Sequence, residues 1–96
     1  MAFQCDILTP DREVFKELVT SVVLPAHDGY LGVLTNRAPL LVRLGQGHLT
    51  ATLSRGGTLA FQVRGGVAQM RNNRLTVLTE TATEAQVASG ALSTGT

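Results

Sequence analysis

The sequence contains no tryptophan, one tyrosine and three phenylalanines in 96 residues. A surface that stacks nucleobases or sugar rings needs several aromatic side chains, so such recognition has little to be built from. Cys5 is the only cysteine. An internal disulfide is therefore ruled out, no cysteine-based metal site is expected, and Cys5 reads as a buried packing residue. The longest apolar runs, such as Val22-Val23-Leu24 and Pro39-Leu40-Leu41-Val42, fall far short of the roughly 18 residues that cross a bilayer. The amino terminus lacks a basic stretch followed by an apolar core, so nothing marks the chain for secretion and a cytosolic location is expected. Acid is absent between residues 31 and 79, where six arginines lie. Residues 1 to 30 instead hold Asp6, Asp11, Glu13, Glu17 and Asp28 against Arg12 and Lys16. With a net charge of +1 the chain is barely basic, its arginines are scattered, and solvated strand faces account for them better than a nucleic-acid partner does.

What is present is the pattern of a folded all-β domain. Hydrophobic residues make up 44% and charged residues 16% of the chain, a balance that supports one core and one domain. Short runs rich in Val, Leu, Thr and Phe recur between clusters of Gly, Pro, Asn and Asp, which is the spacing of strands and turns. Phe3, Cys5 and Ile7 alternate with polar residues, and Thr9-Pro10-Asp11 turns the chain into a short strand around Val14 and Phe15. Period-2 alternation places Leu18, Val22 and Leu24 on one face and Val19 and Val23 on the other. Leu31 and Val33 follow, then Leu40 to Leu44, then a clean alternation with Leu49, Ala51 and Leu53 inward. Arg55-Gly56-Gly57-Thr58 reads as a tight hairpin into Leu59, Phe61 and Val63. Gly65-Gly66 predicts a bulge or a close backbone approach, and Asn72-Asn73 closes the last hairpin before Leu75 and Val77. The expected fold is all-β: a two-sheet antiparallel β-sandwich over residues 1–80, of about ten short strands. Residues 81–96 read as a short Thr/Ala/Ser/Gly-rich tail, in which Thr83 and Gln86 resemble a helix capping box and Gly90 limits any helix to about two turns.

No catalytic constellation emerges. His27 lies in a turn and His48 on an outer strand face, neither with a second ligand at metal spacing. Serines 21, 54, 89 and 93 occupy strand or tail positions, none in a strand-to-helix nucleophile turn. Gly65-Gly66 lacks the Lys-Ser/Thr and the helix that complete a phosphate loop. Asp11 and Glu13 share a turn without a cleft to perturb them. What stands out is apolar residues out of phase with their strands: Val19, Val23, Leu34, Leu41 and Leu78. A contiguous apolar patch of this kind marks a partner surface; burial of a sheet on both faces, or a second small cluster under a loop, accounts for it equally well.

Several motifs in register carry a family resemblance. Val22-Val23-Leu24-Pro25, Asp28-Gly29-Tyr30-Leu31-Gly32-Val33-Leu34 and Arg37-Ala38-Pro39-Leu40-Leu41 resemble the V-x-L-P-G-x-x-G-E-L-G-V-L-P-G-H-A-P-L-L segment of the epsilon subunits of F-type ATP synthases. Ile7-Leu8-Thr9-Pro10 with Val14-Phe15 is similar to the family's opening strand pair. Gly65-Gly66-Val67 and Asn73-Arg74-Leu75-Thr76-Val77-Leu78 are similar to its G-G-x-x-x-V-x-x-N-x-V-T-V-L. The resemblance covers residues 3 to 82. It implies a ten-stranded sandwich in the central stalk of a rotary synthase, a non-catalytic part that couples the membrane c-ring to the gamma subunit. It also implies a peripheral position on the cytoplasmic face of the inner membrane, held only through the complex. By motif position it implies that Asp28, Gly29 and Tyr30 meet the c-ring. The segment of Leu34, Arg37, Ala38, Pro39, Leu40 and Leu41 is implied to meet gamma. No cofactor, nucleotide or nucleic acid is expected.

The chain departs from the pattern at three places. Tyr30 stands where the family has glutamate, and Thr35-Asn36-Arg37 replaces Pro-Gly-His, exchanging a titratable group for a fixed cation. The residues after Leu78 do not resemble the family's carboxy-terminal helical hairpin or its Asp-x-x-Arg-Ala segment, so coupling without restraint of ATP hydrolysis is expected. A free-standing β-sandwich module for a carbohydrate or small ligand is the alternative from another class.

Overall fold

Alternating apolar and polar residues build strands that each offer one side to a shared interior, and the computed structural model, which describes residues 1–85, consists of such strands. They are β1 (Phe3–Leu8), β2 (Glu13–Ala26), β3 (Gly29–Leu34), β4 (Leu40–Arg43), β5 (Gln46–Leu53), β6 (Thr58–Arg64), β7 (Val67–Arg71), β8 (Arg74–Leu78) and β9 (Thr81–Ala85). The all-β expectation therefore holds, with nine strands among the described residues. The strands hydrogen-bond in the order β4-β7-β8-β1-β2-β5-β6-β9, and β3 also pairs with β2.

Two details of the expected sandwich are corrected. The strands form one continuous sheet wrapped around the core rather than two separate sheets. They are also not all antiparallel, because β1 and β8 run parallel, with Cys5 opposite Leu75 and Ile7 opposite Val77. The first follows from β2, which is 14 residues long and merges what the sequence pattern presents as two short strands. Val19 faces Phe3 on one side and Leu53 on the other, and Ser21 likewise faces Leu34 and Thr52. β1 and β3 thus share one edge of β2 end to end while β5 takes the other. The single strand serves both layers.

The same strand explains the one error of phase. Between Val19 and Ser21 the register with β5 shifts, so Thr20 is an extra residue on β2. An inserted residue reverses the alternation beyond it. Val19, Val22 and Leu24 are all buried as a result, whereas Leu18, expected inside, is exposed. A pattern with period 2 cannot carry a bulge that only the partner strand reveals.

One hydrophobic cluster fills the interior, with Phe3, Ile7, Val22, Leu24, Val33, Leu49, Leu53, Phe61, Val63, Leu75 and Val77 buried in it. Leu31 is half-buried at its margin. Cys5 is buried, and loss of hydration, with a smaller contribution from Asp6, pushes its thiol up to about 12. It is a neutral packing group at ordinary pH.

Residues 81–85, expected in the tail, form β9 against β6, with Ala82 opposite Val63 and buried. Thr83 of the expected capping box lies in this strand, while Gln86, Gly90 and the rest of the expected tail, residues 86–96, lie outside the described residues. Thr79 makes the corner between β8 and β9. Its buried hydroxyl accepts from Arg64 N–H at 3.3 Å and lies 3.0 Å from Arg64 O and 3.2 Å from Thr81 O, either of which its single proton can serve. Replacing Thr79 by valine keeps the shape and removes these partners, and should cost about 1–3 kcal/mol in urea unfolding. Thr79→Ser should restore most of it. A loss in Thr79→Ser with none in Thr79→Val would show that the methyl group, not the hydroxyl, holds the corner.

Candidate docking surface

Some of the apolar side chains left outside the core collect on one outer face. Cross-strand pairing places Val67 opposite Leu78 and Leu78 opposite Leu8, so these three make a stripe over β7, β8 and β1, with Arg43 beside Val67. Leu78 is 47% exposed and Leu41, one pleat further along on β4, is 71% exposed. The stripe runs into a largely apolar cleft of about 340 Å³ lined by Leu8, Thr9, Pro10, Gly66, Leu78 and Thr79, with Glu80 at its edge. Leu34 at the end of β3 and Val23 on β2 are also exposed. Four of the five residues identified as out of phase are thus on the surface, and Val19 alone is buried. Val67 belongs with them, since alternation with the buried Ala68 and Met70 turns it outward beside Gln69 and Arg71.

The residues assigned to gamma lie together. Leu34, Arg37, Ala38, Pro39 and Leu41 are exposed along the end of β3, the following turn and β4. Leu40 is half-buried and packs against the core, so it supports the segment rather than offering itself. The turn is pinned from outside: Asn36 N–H donates to Asn73 Oδ1 at 2.9 Å, and Asn73 Nδ2 donates to Ala2 O at 3.1 Å. This holds three remote pieces of sequence at one place.

Asp28, Gly29 and Tyr30 sit apart from that segment, at the other end of β3, roughly 17 Å away at strand rise. All three are exposed. Tyr30 does not point freely outward, however. A Cβ built on Gly47 would stand 2.6 Å from Tyr30 Oη and 3.1 Å from Pro25 Cβ, so the phenol lies across Gly47 and Pro25. Glycine at 47 makes room for the ring.

Among the described residues the charged groups pair locally. Among the described residues no three His, Cys, Asp or Glu side chains group as a metal site would require, and His27 and His48 are exposed. Arg55 and Glu17 form a fork at 2.8 and 3.0 Å. The hydrogen bond from Arg55 holds the Glu17 carboxyl below its usual range, and the same bond raises Arg55. What the surface can do is bind, through an apolar stripe bordered by arginines.

Residues 2–85 match the family described as ATP synthase, Delta/Epsilon chain, beta-sandwich domain. The ATP synthase epsilon chain of Synechococcus sp. (strain JA-2-3B'a(2-13)) is 42% identical over 78 residues, which cover 81% of this chain and 56% of that one. That of Xanthomonas campestris pv. campestris (strain B100) is 36% identical over 83 residues, covering 86% and 59%. This chain therefore spans a little over half the length of the curated relatives it matches. A chain in the Euglena gracilis mitochondrial ATP synthase structure (OSCP/F1/c-ring) superposes with a TM-score of 0.81 at 19% identity, covering 86% of this chain and 53% of that one. One in the Tetrahymena thermophila mitochondrial ATP synthase central stalk/c-ring structure gives 0.67 at 15%, covering 82% and 63%. At such identities the likeness is one of fold. Taken with the family match along nearly all of the described residues, it establishes that the chain belongs to the ATP synthase delta/epsilon family and carries its β-sandwich domain.

Proposed function

We propose that this chain is a non-catalytic central-stalk part of a rotary F-type ATP synthase, coupling the c-ring to the gamma subunit during ion-driven ATP synthesis. The observation that carries the reading is family membership combined with an outer face of exposed Leu41, Val67 and Leu78. Such a face on a small domain suits a permanent partner better than a diffusing substrate. Leu34, Arg37, Ala38, Pro39 and Leu41 contact gamma, with Leu40 as support, and Asp28, Gly29 and Tyr30 contact the ring. Their separation by the length of β3 lets one rigid domain touch both partners at once. Among the described residues no helix is long and apolar enough to cross a membrane. The proposed position is peripheral, on the cytoplasmic face of the inner membrane through the complex.

Copurification tests the reading: tagged protein should bring down gamma and the ring. Arg37→Glu should weaken gamma binding about tenfold or more, since it reverses a charge at the contact. Arg55→Glu, on the β5–β6 turn where Arg55 already pairs with Glu17, should weaken it far less. Equal losses, or no recovery of gamma with the native protein, would count against the assignment.

A further inference from the structure

We propose that the tip of the β7–β8 hairpin is a carboxylate-binding site, in which Arg71 and Arg74, with Arg37 close by, grip acidic side chains on the surface of a partner protein. This rests on the reading that gamma is the partner, and adds to it the chemistry of the contact.

The hairpin turns on two residues, Asn72 and Asn73, both with positive φ of 51° and 59°. That is the tight turn whose twist matches the strands, and asparagine tolerates it better than most residues. It sets Arg71 directly opposite Arg74. Paired residues share a face and stand about 5.5 Å apart at Cα, so both arginine side chains leave the hairpin on the same face. Like charges so placed destabilise a hairpin unless an anion lies between or over them.

Only part of that anion comes from this chain. Asp6 Oδ2 lies 3.4 Å from Arg74 Nε, while its Oδ1 accepts a hydrogen bond from Gln4 Nε2 at 2.9 Å. Asp6 is the one acid among the outward residues of β1, β7 and β8, and Arg71 has no ion pair among the described residues. The bond from Asn36 N–H to Asn73 Oδ1 brings the neighbouring Arg37 to the same hairpin tip. Three arginines from two separate stretches of sequence therefore come to this hairpin, and of them only Arg74 pairs with Asp6, whose cross-strand neighbour on β2 is Lys16. Between Arg71 and Arg74 opens a cleft of about 430 Å³ whose walls are Gln4, Gln69, Asn73 and Thr76. Every one of these is polar.

A cleft walled by amide and hydroxyl side chains, with planar, five-donor forks on its rim, suits carboxylates, which guanidinium groups bind through two parallel hydrogen bonds. The cleft has no aromatic wall, so stacking on a nucleobase is not available. Beside it lies the exposed Leu41, opposite Gln69 on β4. The fitting partner is a protein surface presenting acidic side chains next to an apolar one.

Calorimetric titration of the chain with gamma over a range of salt concentrations tests this. Arg71→Gln with Arg74→Gln should weaken binding about tenfold at low salt and flatten its salt dependence. Arg71→Lys with Arg74→Lys should keep the salt dependence and lose part of the affinity, because charge remains and the forks are gone. Arg12→Gln with Arg55→Gln removes the same charge from the β1–β2 and β5–β6 turns and should change affinity by no more than about twofold. If the native chain binds gamma and the glutamine pair at 71 and 74 binds as well, the carboxylate site is overturned while the stalk reading stands. Equal weakening by the pair at 12 and 55 overturns it too, since net charge alone would then be sensed. If the native chain does not bind gamma, the stalk reading fails and this site with it.

Discussion

Replacing Gly66 by alanine should lower the unfolding free energy by about 3–5 kcal/mol, from backbone strain and steric overlap together. Gly66 has a φ of +105°, a region that residues with a Cβ avoid. A Cβ there would also run into the Leu78 carbonyl oxygen and stand 2.8 Å from Thr79 Cα. Neither neighbour can yield easily. Leu78 is paired with Val67 in the β7–β8 ladder, and Thr79 N–H donates to Leu8 O at 3.0 Å. Gly66 O meanwhile accepts from Leu44 N–H at 2.9 Å, so moving the glycine disturbs the join between β4 and β7 as well. Gly57→Ala is the internal comparison, because its φ of +91° is similarly unfavourable but its would-be Cβ meets open space. That variant should lose only the strain, about 1–3 kcal/mol. Urea unfolding of both settles the matter, and equal losses would remove the close backbone approach as the reason for Gly66. The apolar cleft beside Gly66 should change with it, which ties this stability effect to the docking surface.

Phe61→Ala should cost about 3–5 kcal/mol, the usual loss for a phenylalanine removed from a packed interior. Phe61 is 2% exposed and meets the Phe15 ring edge-on at a centroid distance of 5.3 Å and an interplanar angle of 61°. β5 and β9 flank its strand, with Leu49 and Glu84 as its two cross-strand neighbours, so the site has little freedom to collapse. In a domain of this size the melting temperature should fall by about 4–8 °C for each kcal/mol. Phe15→Ala and the double variant complete a cycle whose coupling should be about 0.5–1.5 kcal/mol if the edge-to-face contact matters beyond burial. Strict additivity would assign the whole effect to lost apolar area.

The core was largely legible because burial follows local alternation. Phe3, Ile7, Leu49, Leu53, Leu75 and Val77 each read inward from their own strand, and all are buried. Leu18 and Val19 could not be read so, since the extra residue at Thr20 exists only relative to β5. β9 was missed for a different reason. Its single buried residue, Ala82, is too small to mark a strand by hydrophobicity, and what holds it is pairing with β6. The exposed Leu34, Leu41 and Leu78 were visible as residues out of phase, and Val67, equally legible from its alternation with Ala68 and Met70, was overlooked.

By itself the sequence determined the all-β class, the turns at Gly56-Gly57 and Asn72-Asn73, most of the interior and the family, because each rests on residues close together along the chain. Tertiary structure decided which strands adjoin, hence the parallel β1–β8 pair, the single wrapped sheet, the reach of Tyr30 over Gly47, and the meeting of Arg37, Arg71 and Arg74 at one hairpin tip. Those features are contacts between residues far apart in sequence, and their geometry is set by the register of non-neighbouring strands, which no local pattern of polarity encodes.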